Sequence, residues 1–389
     1  SGCTSLSSIN IPDSLTYIAD AVFSGCESLA AINVSSENNI YASIDGILFD
    51  KDKTELKQYP AGRSETTYTI PDGVIYIRHG AFSGCKNLSD INIPDSITEI
   101  ESETFSGCTS LSGIEIPDSV TQIGENAFYG CTSLEEITIP DSVIKIGENA
   151  FYATKVIENQ DGVEYVGKWV VGSDKDITSA EIKDGTKGIA CSAFLSRNSL
   201  ATISIPDSVT NIGENAFYET QLMENQDGIN YVGKWVVGYD EDITLAKIRE
   251  GTRGIADYAF SGNDNLSNIN LPEGLMYIGD SAFDGCDNIY NDGTIEIPAS
   301  VVRIGDEAFQ CNYNSELGFF NIKNPDCVLG KDCMYNAAIF GEENSILQAC
   351  AKKEGIPFNP VIVTEAGEYN IELAYNSTKD ILFCPSESG

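Results

Sequence analysis

The apolar positions of this chain repeat as a long motif. Ile93-Pro94-Asp95-Ser96-Ile97 leads to Phe105-Ser106-Gly107-Cys108, and Ile116-Pro117-Asp118-Ser119-Val120 leads to Phe128-Tyr129-Gly130-Cys131. The unit reads L-x-x-I-x-I-P-D-S-V-T-x-I-G-E-N-A-F-x-G-C-x-S. Its phenylalanines stand at Phe23, Phe82, Phe105, Phe128, Phe151, Phe194, Phe217, Phe260, Phe283 and Phe309, and the steps 82–105, 105–128, 128–151, 194–217 and 260–283 are each 23 residues. Within a unit, L-x-x-I-x-I alternates apolar and polar, which predicts a short strand with one buried face. Proline ends it, because proline cannot donate to a ladder. A second short run such as Val120-Thr121-Gln122-Ile123 follows the Asp-Ser turn, and Gly124 breaks it before the Ala127-Phe128 corner. One coil alone cannot bury its Leu, Ile, Val and Phe. Stacking coils about 4.8 Å apart pairs every strand and lines identical residues into apolar ladders.

The longer steps are insertions. From Phe151 to Phe194 and from Phe217 to Phe260 the step is 43 residues, 20 more than the unit, and the two insertions are near copies at an offset of 66. Tyr165-Val166-Gly167-Lys168-Trp169-Val170-Val171-Gly172 recurs unchanged from Tyr231 to Gly238. Gly-Lys between two β-rich runs predicts a hairpin with a type II′ turn, protruding from or capping a coil. The 59-residue step from Phe23 to Phe82 holds a related element, Asp45-Gly46-Ile47-Leu48-Phe49 leading to Tyr59-Pro60.

These residues resemble the BspA-like leucine-rich repeat family of bacterial surface proteins. The resemblance covers roughly residues 1–358, from the I-P-D-S-V-T-x-I-G-E-N-A-F-x-G-C units to a closing stretch, Gly341-Glu342-Glu343-Asn344-Ser345 through Ile356-Pro357-Phe358. It implies a β-rich solenoid of the α/β leucine-rich repeat class, a right-handed stack of roughly 23-residue coils with β-hairpin insertions. The insertions are expected near 35–65, 156–180 and 222–246, and a terminal cap over 312–358. A C-terminal β extension or the start of a following domain is expected over 359–389. The resemblance also implies a secreted or surface-attached protein, with some relatives binding host matrix proteins or other cells. It defines no binding residues, and fold does not fix function. The recurrent cysteine is replaced by Thr154, Arg197, Thr220 and Asn263 around the insertion-bearing coils, where different packing is expected.

Charge narrows the partners. The 389 residues carry a formal charge of -36, which repels nucleic acid phosphates and anionic lipid. No stretch approaches the ~18 consecutive apolar residues of a membrane span. Ser1-Gly2-Cys3 matches the middle of a unit, so any export signal or wall anchor is expected outside the chain.

Twelve cysteines raise the question of disulfides, yet Cys3, Cys26, Cys85, Cys108, Cys131 and Cys286 share one repeat position and read as a buried ladder of small apolar residues. Cys327 and Cys333, in a looser region, are the better candidates for a bridge. The absence of any Cys-x-x-Cys pair argues against zinc. The single histidine, His79, and paired carboxylates such as Glu135-Glu136 fall in exposed repeat slots, so no catalytic residue is assigned. Asp50-Lys51-Asp52, Asp174-Lys175-Asp176 and Asp240-Glu241-Asp242 alternate carboxylates but lack the glycine and distal glutamate of a calcium loop, so no metal or cofactor is assigned.

Two sets of candidate ligand-binding residues remain. Asn10, Asn33, Asn92, Glu115, Thr138, Ser204, Asn270 and Glu296 form a polar, acidic strip on the outward side of the strands, suited to a basic protein surface or a glycan. Tyr165, Trp169, Tyr231 and Trp235 sit at matching places in the duplicated insertions, either as exposed anchors or packed on the solenoid. The expected function is non-enzymatic binding of a protein or glycan by a monomer at the cell surface, with a structural spacer that displays another domain as the alternative.

Overall fold

The computed structural model describes residues 2–290, 294–310, 318–334 and 337–360, and the backbone of 372–375 and 381–384. The chain divides into two compact units, residues 1–240 with 254–259 and residues 241–253 with 260–389.

In the first unit each regular coil carries a strand of three or four residues and, after the proline turn, a strand of two. Thr67–Thr69 pairs in parallel with Asp90–Asn92, Gly113–Glu115 with Glu136–Thr138, and Ser179–Glu181 with Thr202–Ser204, each in 23-residue register. The second ladder runs through Glu99–Ile100, Gln122–Ile123 and Lys145–Ile146. The Phe82, Phe105, Phe128 and Phe151 rings follow at centroid spacings of 5.3, 5.4 and 5.4 Å. That is close to the strand spacing, so ring stacking and backbone pairing satisfy one repeat distance together. Tyr59, inside the first insertion, stacks 5.2 Å from Phe82 and fills the phenylalanine slot there.

The corner before each phenylalanine depends on backbone chemistry. Asn126, Asn149 and Asn215 adopt φ of 53°, 52° and 54°, a region that asparagine tolerates better than most residues. Two residues earlier, a Cβ on Gly124 would stand 2.4 Å from the Ser102 nitrogen, so only glycine allows this approach of coils.

The ladder cysteines do more than fill space. Cys108 Sγ donates to the Phe82 carbonyl at 3.1 Å, Cys131 to Phe105 at 3.0 Å and Cys286 to Phe260 at 3.0 Å. Each replacement is also a donor. Thr154 and Thr220 donate to the Phe151 and Phe217 carbonyls at 2.7 and 2.8 Å, and Arg197 reaches the Ser173 carbonyl at 2.9 Å. At these positions the slot holds a hydrogen-bond donor whichever side chain occupies it.

The insertions differ from the expected single hairpins. Each is a three-stranded antiparallel meander: Tyr41–Ile44, Ile47–Asp50 and Glu55–Gln58; Glu158–Gln160, Val163–Val166 and Trp169–Ser173; Glu224–Gln226, Ile229–Val232 and Trp235–Tyr239. Two turns make each duplicated meander. Asp161 and Gly162 both have positive φ, as a type I′ turn requires, whereas at the second turn Gly167 has φ +57° and Lys168 does not enter the left-handed region, as in type II′. The last strand neither protrudes nor caps. It rejoins the parallel ladder, with Trp169 opposite Gly188 and Val170 opposite Ile189, and likewise Trp235 opposite Gly254.

In the second unit Leu245–Lys247 pairs with Asn268–Asn270, and Tyr277–Ile278, Arg303–Ile304 and Val328–Leu329 form a two-residue ladder. Thr294–Ile297, Gly318–Ile322, Ala337–Gly341 and Phe358–Pro360 form a parallel sheet. The helix Ile346–Lys353 links its last two strands, capped by Ser345 Oγ on the Gln348 nitrogen and burying Leu347 and Ala351. Of the extension expected over 359–389, most lies outside the described residues; Glu372–Tyr375 and Ile381–Cys384 pair antiparallel.

The expected bridge between Cys327 and Cys333 is absent, and both are free, fully buried thiols. Cys327 takes a valine slot, its nitrogen bonding the Asn324 carbonyl as Val120 bonds Pro117. Cys333 takes an alanine slot before Met334, which bridges to Phe309. Different slots of one coil hold the two side chains in the apolar interior.

Candidate functional site

The alternation of the longer strands places their middle residue inward and its neighbours outward. In Asp90–Asn92, Ile91 is buried while Asp90 and Asn92 are exposed; in Gly113–Glu115, Ile114 is buried and Glu115 exposed. Asn10, Asn33, Asn92, Glu115, Thr138, Ser204, Asn270 and Glu296 are all exposed. Register brings several together: Asn10 opposite Asn33, with Asn33 Nδ2 donating to Asn10 Oδ1 at 3.1 Å, and Glu115 opposite Thr138.

The same registers add residues to the row that the repeat signature did not yield. Thr69 stands opposite Asn92, Glu181 opposite Ser204, Lys247 opposite Asn270 and Asn321 opposite Glu296. Their strands end in I-P-D-G, I-K-D-G, I-R-E-G and I-K-N-P, so the alternation was present but the I-P-D-S marker was altered. In the second unit Asn270 and Glu296 line one groove of about 270 Å³ between Asn268–Asn270 and Thr294–Ile297, with Ile289 at its floor. Asn321 Nδ2 donates to Glu296 at 3.0 Å, and Lys323 lies 3.3 Å from the same carboxylate. The row presents amides, hydroxyls, carboxylates and the Lys247 ammonium to solvent along open strands.

The aromatic candidates occupy the interior instead. Trp169 and Trp235 are 1% and 2% exposed, Tyr165 and Tyr231 2% and 1%. Each indole lies over a glycine of the next coil, Gly188 or Gly254, and Tyr165 Oη accepts from the Lys183 nitrogen at 3.2 Å. As anchors for a partner these four residues are excluded, because the stack has already covered their surface.

Residues considered for catalysis do not assemble. His79 Nε2 lies 3.8 Å from Glu103 on the surface. Glu135 pairs with Lys155, which holds its carboxyl below the usual range. The leading aspartate of each calcium-like run is engaged locally: Asp50 accepts from Thr54 and the Glu55 nitrogen, Asp174 from Asn159 and Asp240 from Asn225. Among the described residues no three His, Cys, Asp or Glu side chains are grouped to hold a metal ion, and no helix is long and apolar enough to cross a membrane.

The chain matches the family described as BspA type Leucine rich repeat region over residues 1–58, 61–170, 172–235 and 238–339, in six copies. No curated protein sequence matches it. Similar solved structures include a leucine-rich repeat protein from Eubacterium ventriosum, 26% identical over 57% of this chain and 61% of that one, with a TM-score of 0.37. This chain thus covers about three fifths of that protein. A leucine-rich repeat protein from Bacteroides ovatus is 20% identical over 93% of this chain and 85% of its own, with a TM-score of 0.33. A leucine rich cell surface protein from Faecalibacterium prausnitzii is 22% identical over 88% and 81%, with a TM-score of 0.27. With the family's repeat matched over most of its length, the chain belongs to the BspA-type leucine-rich repeat proteins.

Proposed function

We propose that this chain is a non-catalytic binding protein of a bacterial cell surface, engaging a protein or glycan partner through the outward row of its longer strands. One observation carries the reading: polar side chains, mostly amide, hydroxyl and carboxylate, stand exposed in register on successive coils. Such a row offers hydrogen bonds at a regular interval, which an extended partner can match. Membership in a family with a relative called a cell surface protein supports the location. The scattered catalytic candidates support the non-enzymatic part.

The test is binding of the purified chain to arrays of matrix proteins and of glycans, followed by Asn92→Arg with Glu115→Arg against the best hit. Binding that falls at least about tenfold supports the row, the size expected when several hydrogen bonds are lost and two positive charges are introduced. A blank on both arrays overturns the reading and leaves a spacer of stacked coils.

A further inference from the structure

The first of the duplicated meanders meets the coil beside it at a cleft of about 240 Å³, lined by Glu148, Tyr152, Ile157, Glu164, Val171 and Arg197. It is distinct from the outward row and contains a polar group that folding leaves unused. Glu164 is half-buried on the strand Val163–Val166, and no hydrogen bond or ion pair reaches its carboxylate among the described residues. A carboxylate offers about four acceptor sites, and no donor among the described residues fills any of them here, so they are open to solvent in the cleft and to an incoming donor. Burial, with Asp174 nearby, pushes this carboxyl above the usual range, and Arg197 offsets part of the effect.

The neighbouring charges are already committed. Glu148 accepts from Ser192 Oγ at 2.8 Å and from Asn149 at 3.1 Å. Arg197 spends its guanidinium on the Leu195 carbonyl, the Ser173 carbonyl and Ser173 Oγ, so it stands near Glu164 without pairing with it. Gly172 makes room for the arrangement, since a Cβ there would stand 2.3 Å from Glu164 Oε2.

The second meander keeps the strands, the turns and the tryptophan but loses this chemistry. Asn230 replaces Glu164 and is satisfied by Asn225 Nδ2 at 2.9 Å, while Asn263 replaces Arg197 in sequence. The unpartnered carboxylate is thus a property of one copy and not a requirement of the meander.

We propose that this cleft docks a lysine or arginine side chain of a polypeptide partner, with the Glu164 carboxylate as acceptor. The volume lies below the range of small-molecule sites, about 300–1,000 Å³, and suits one long side chain. Ile157 and Val171 flank the aliphatic stem, Tyr152, 55% exposed, presents an aromatic face to the cationic head, and the -36 charge of the chain draws basic partners to it.

The test is fluorescence anisotropy with labelled hexalysine at about 0.15 M ionic strength, where diffuse attraction is screened. Glu164→Gln is compared with Asp13→Asn, which removes the same charge from an exposed position in the first coil. Glu164→Gln is expected to weaken binding about tenfold and Asp13→Asn less than about twofold. In the unsubstituted chain, hexalysine is expected to shift the amide resonances of Glu164 and Gly172, a readout that holds even if the variant fails to fold. Equal losses in the two variants, or resonance shifts confined to other coils, overturn the proposal. So does displacement of hexalysine from the cleft by an uncharged oligosaccharide such as chitohexaose, which would mark a glycan site.

Discussion

The indole of Trp169 lies against Gly188, so close that a Cβ on the glycine would stand 2.3 Å from Cζ3 and 2.6 Å from Cη2. The two residues face each other in the parallel register between the meander and the next coil. Where other coils put Tyr76, Glu99, Gln122 or Lys145 in this column, the coil after each of the two duplicated meanders has glycine, and Trp235 over Gly254 repeats the solution.

Gly188→Ala is therefore expected to destabilise the fold by about 1–3 kcal/mol, the usual cost of overpacking a filled site. Gly185→Ala is a poor control because of its positive φ, whereas Gly73→Ala, with open space around its Cβ, is expected to stay within about 0.5 kcal/mol. Urea unfolding midpoints measure both.

The left-handed residue before each Ala-Phe corner gives a second test. Asn126→Val forces a β-branched side chain into φ of 53° and is expected to cost about 1–2 kcal/mol, while Asn126→Gly is expected to be nearly neutral. Thermal unfolding of the two variants separates backbone strain from loss of the side chain.

Arg197 replaces a ladder cysteine yet serves three acceptors. Arg197→Met keeps the stem and removes every donor, and is expected to cost about 1–2 kcal/mol, reduced from the buried value because the side chain is part-exposed. A fall in urea midpoint at constant slope would agree; an unchanged midpoint would show that water replaces the guanidinium.

The buried thiols make stability depend on alkaline pH. Burial raises Cys286 and Cys327 to about 12 and Cys131 further, from an ordinary 9.0. The unfolded chain thus loses these protons first. Stability is full below about 8.5 and is lost as pH rises from there toward the folded values. Unfolding free energies from urea titrations at pH 7 and at pH about 10 are expected to differ by several kcal/mol in total, on the order of one or two per buried thiol. In the folded chain at neutral pH a thiol reagent is expected to label exposed Cys3 well ahead of Cys85, Cys108 and Cys131.

Much of the fold is legible in the repeat itself. Constant spacing of Phe82, Phe105, Phe128 and Phe151 implies identical coils, and identical coils can only pair in register, so the ladders and the outward row of Asn92, Glu115 and Thr138 follow from the chain alone. The Asp-Gly pairs at 161–162 and 227–228 also mark a second turn in each duplicated insertion, beside the Gly-Lys turn, and Asp45-Gly46 marks the matching turn of the first.

Other features required the tertiary structure. Whether Trp169 meets solvent or a neighbour depends on Gly188, in another coil, and nothing in the local alternation couples the two. Whether Cys327 can reach Cys333 depends on which slots of the coil they fill, not on their separation along the chain. That Glu164 has no partner among the described residues depends on Arg197 having been drawn to the Ser173 and Leu195 carbonyls. Repetition determines what every coil has in common, because one hydrogen-bond spacing governs them all; where coils differ, packing across the stack decides, because each exception is accommodated by residues of a neighbouring coil.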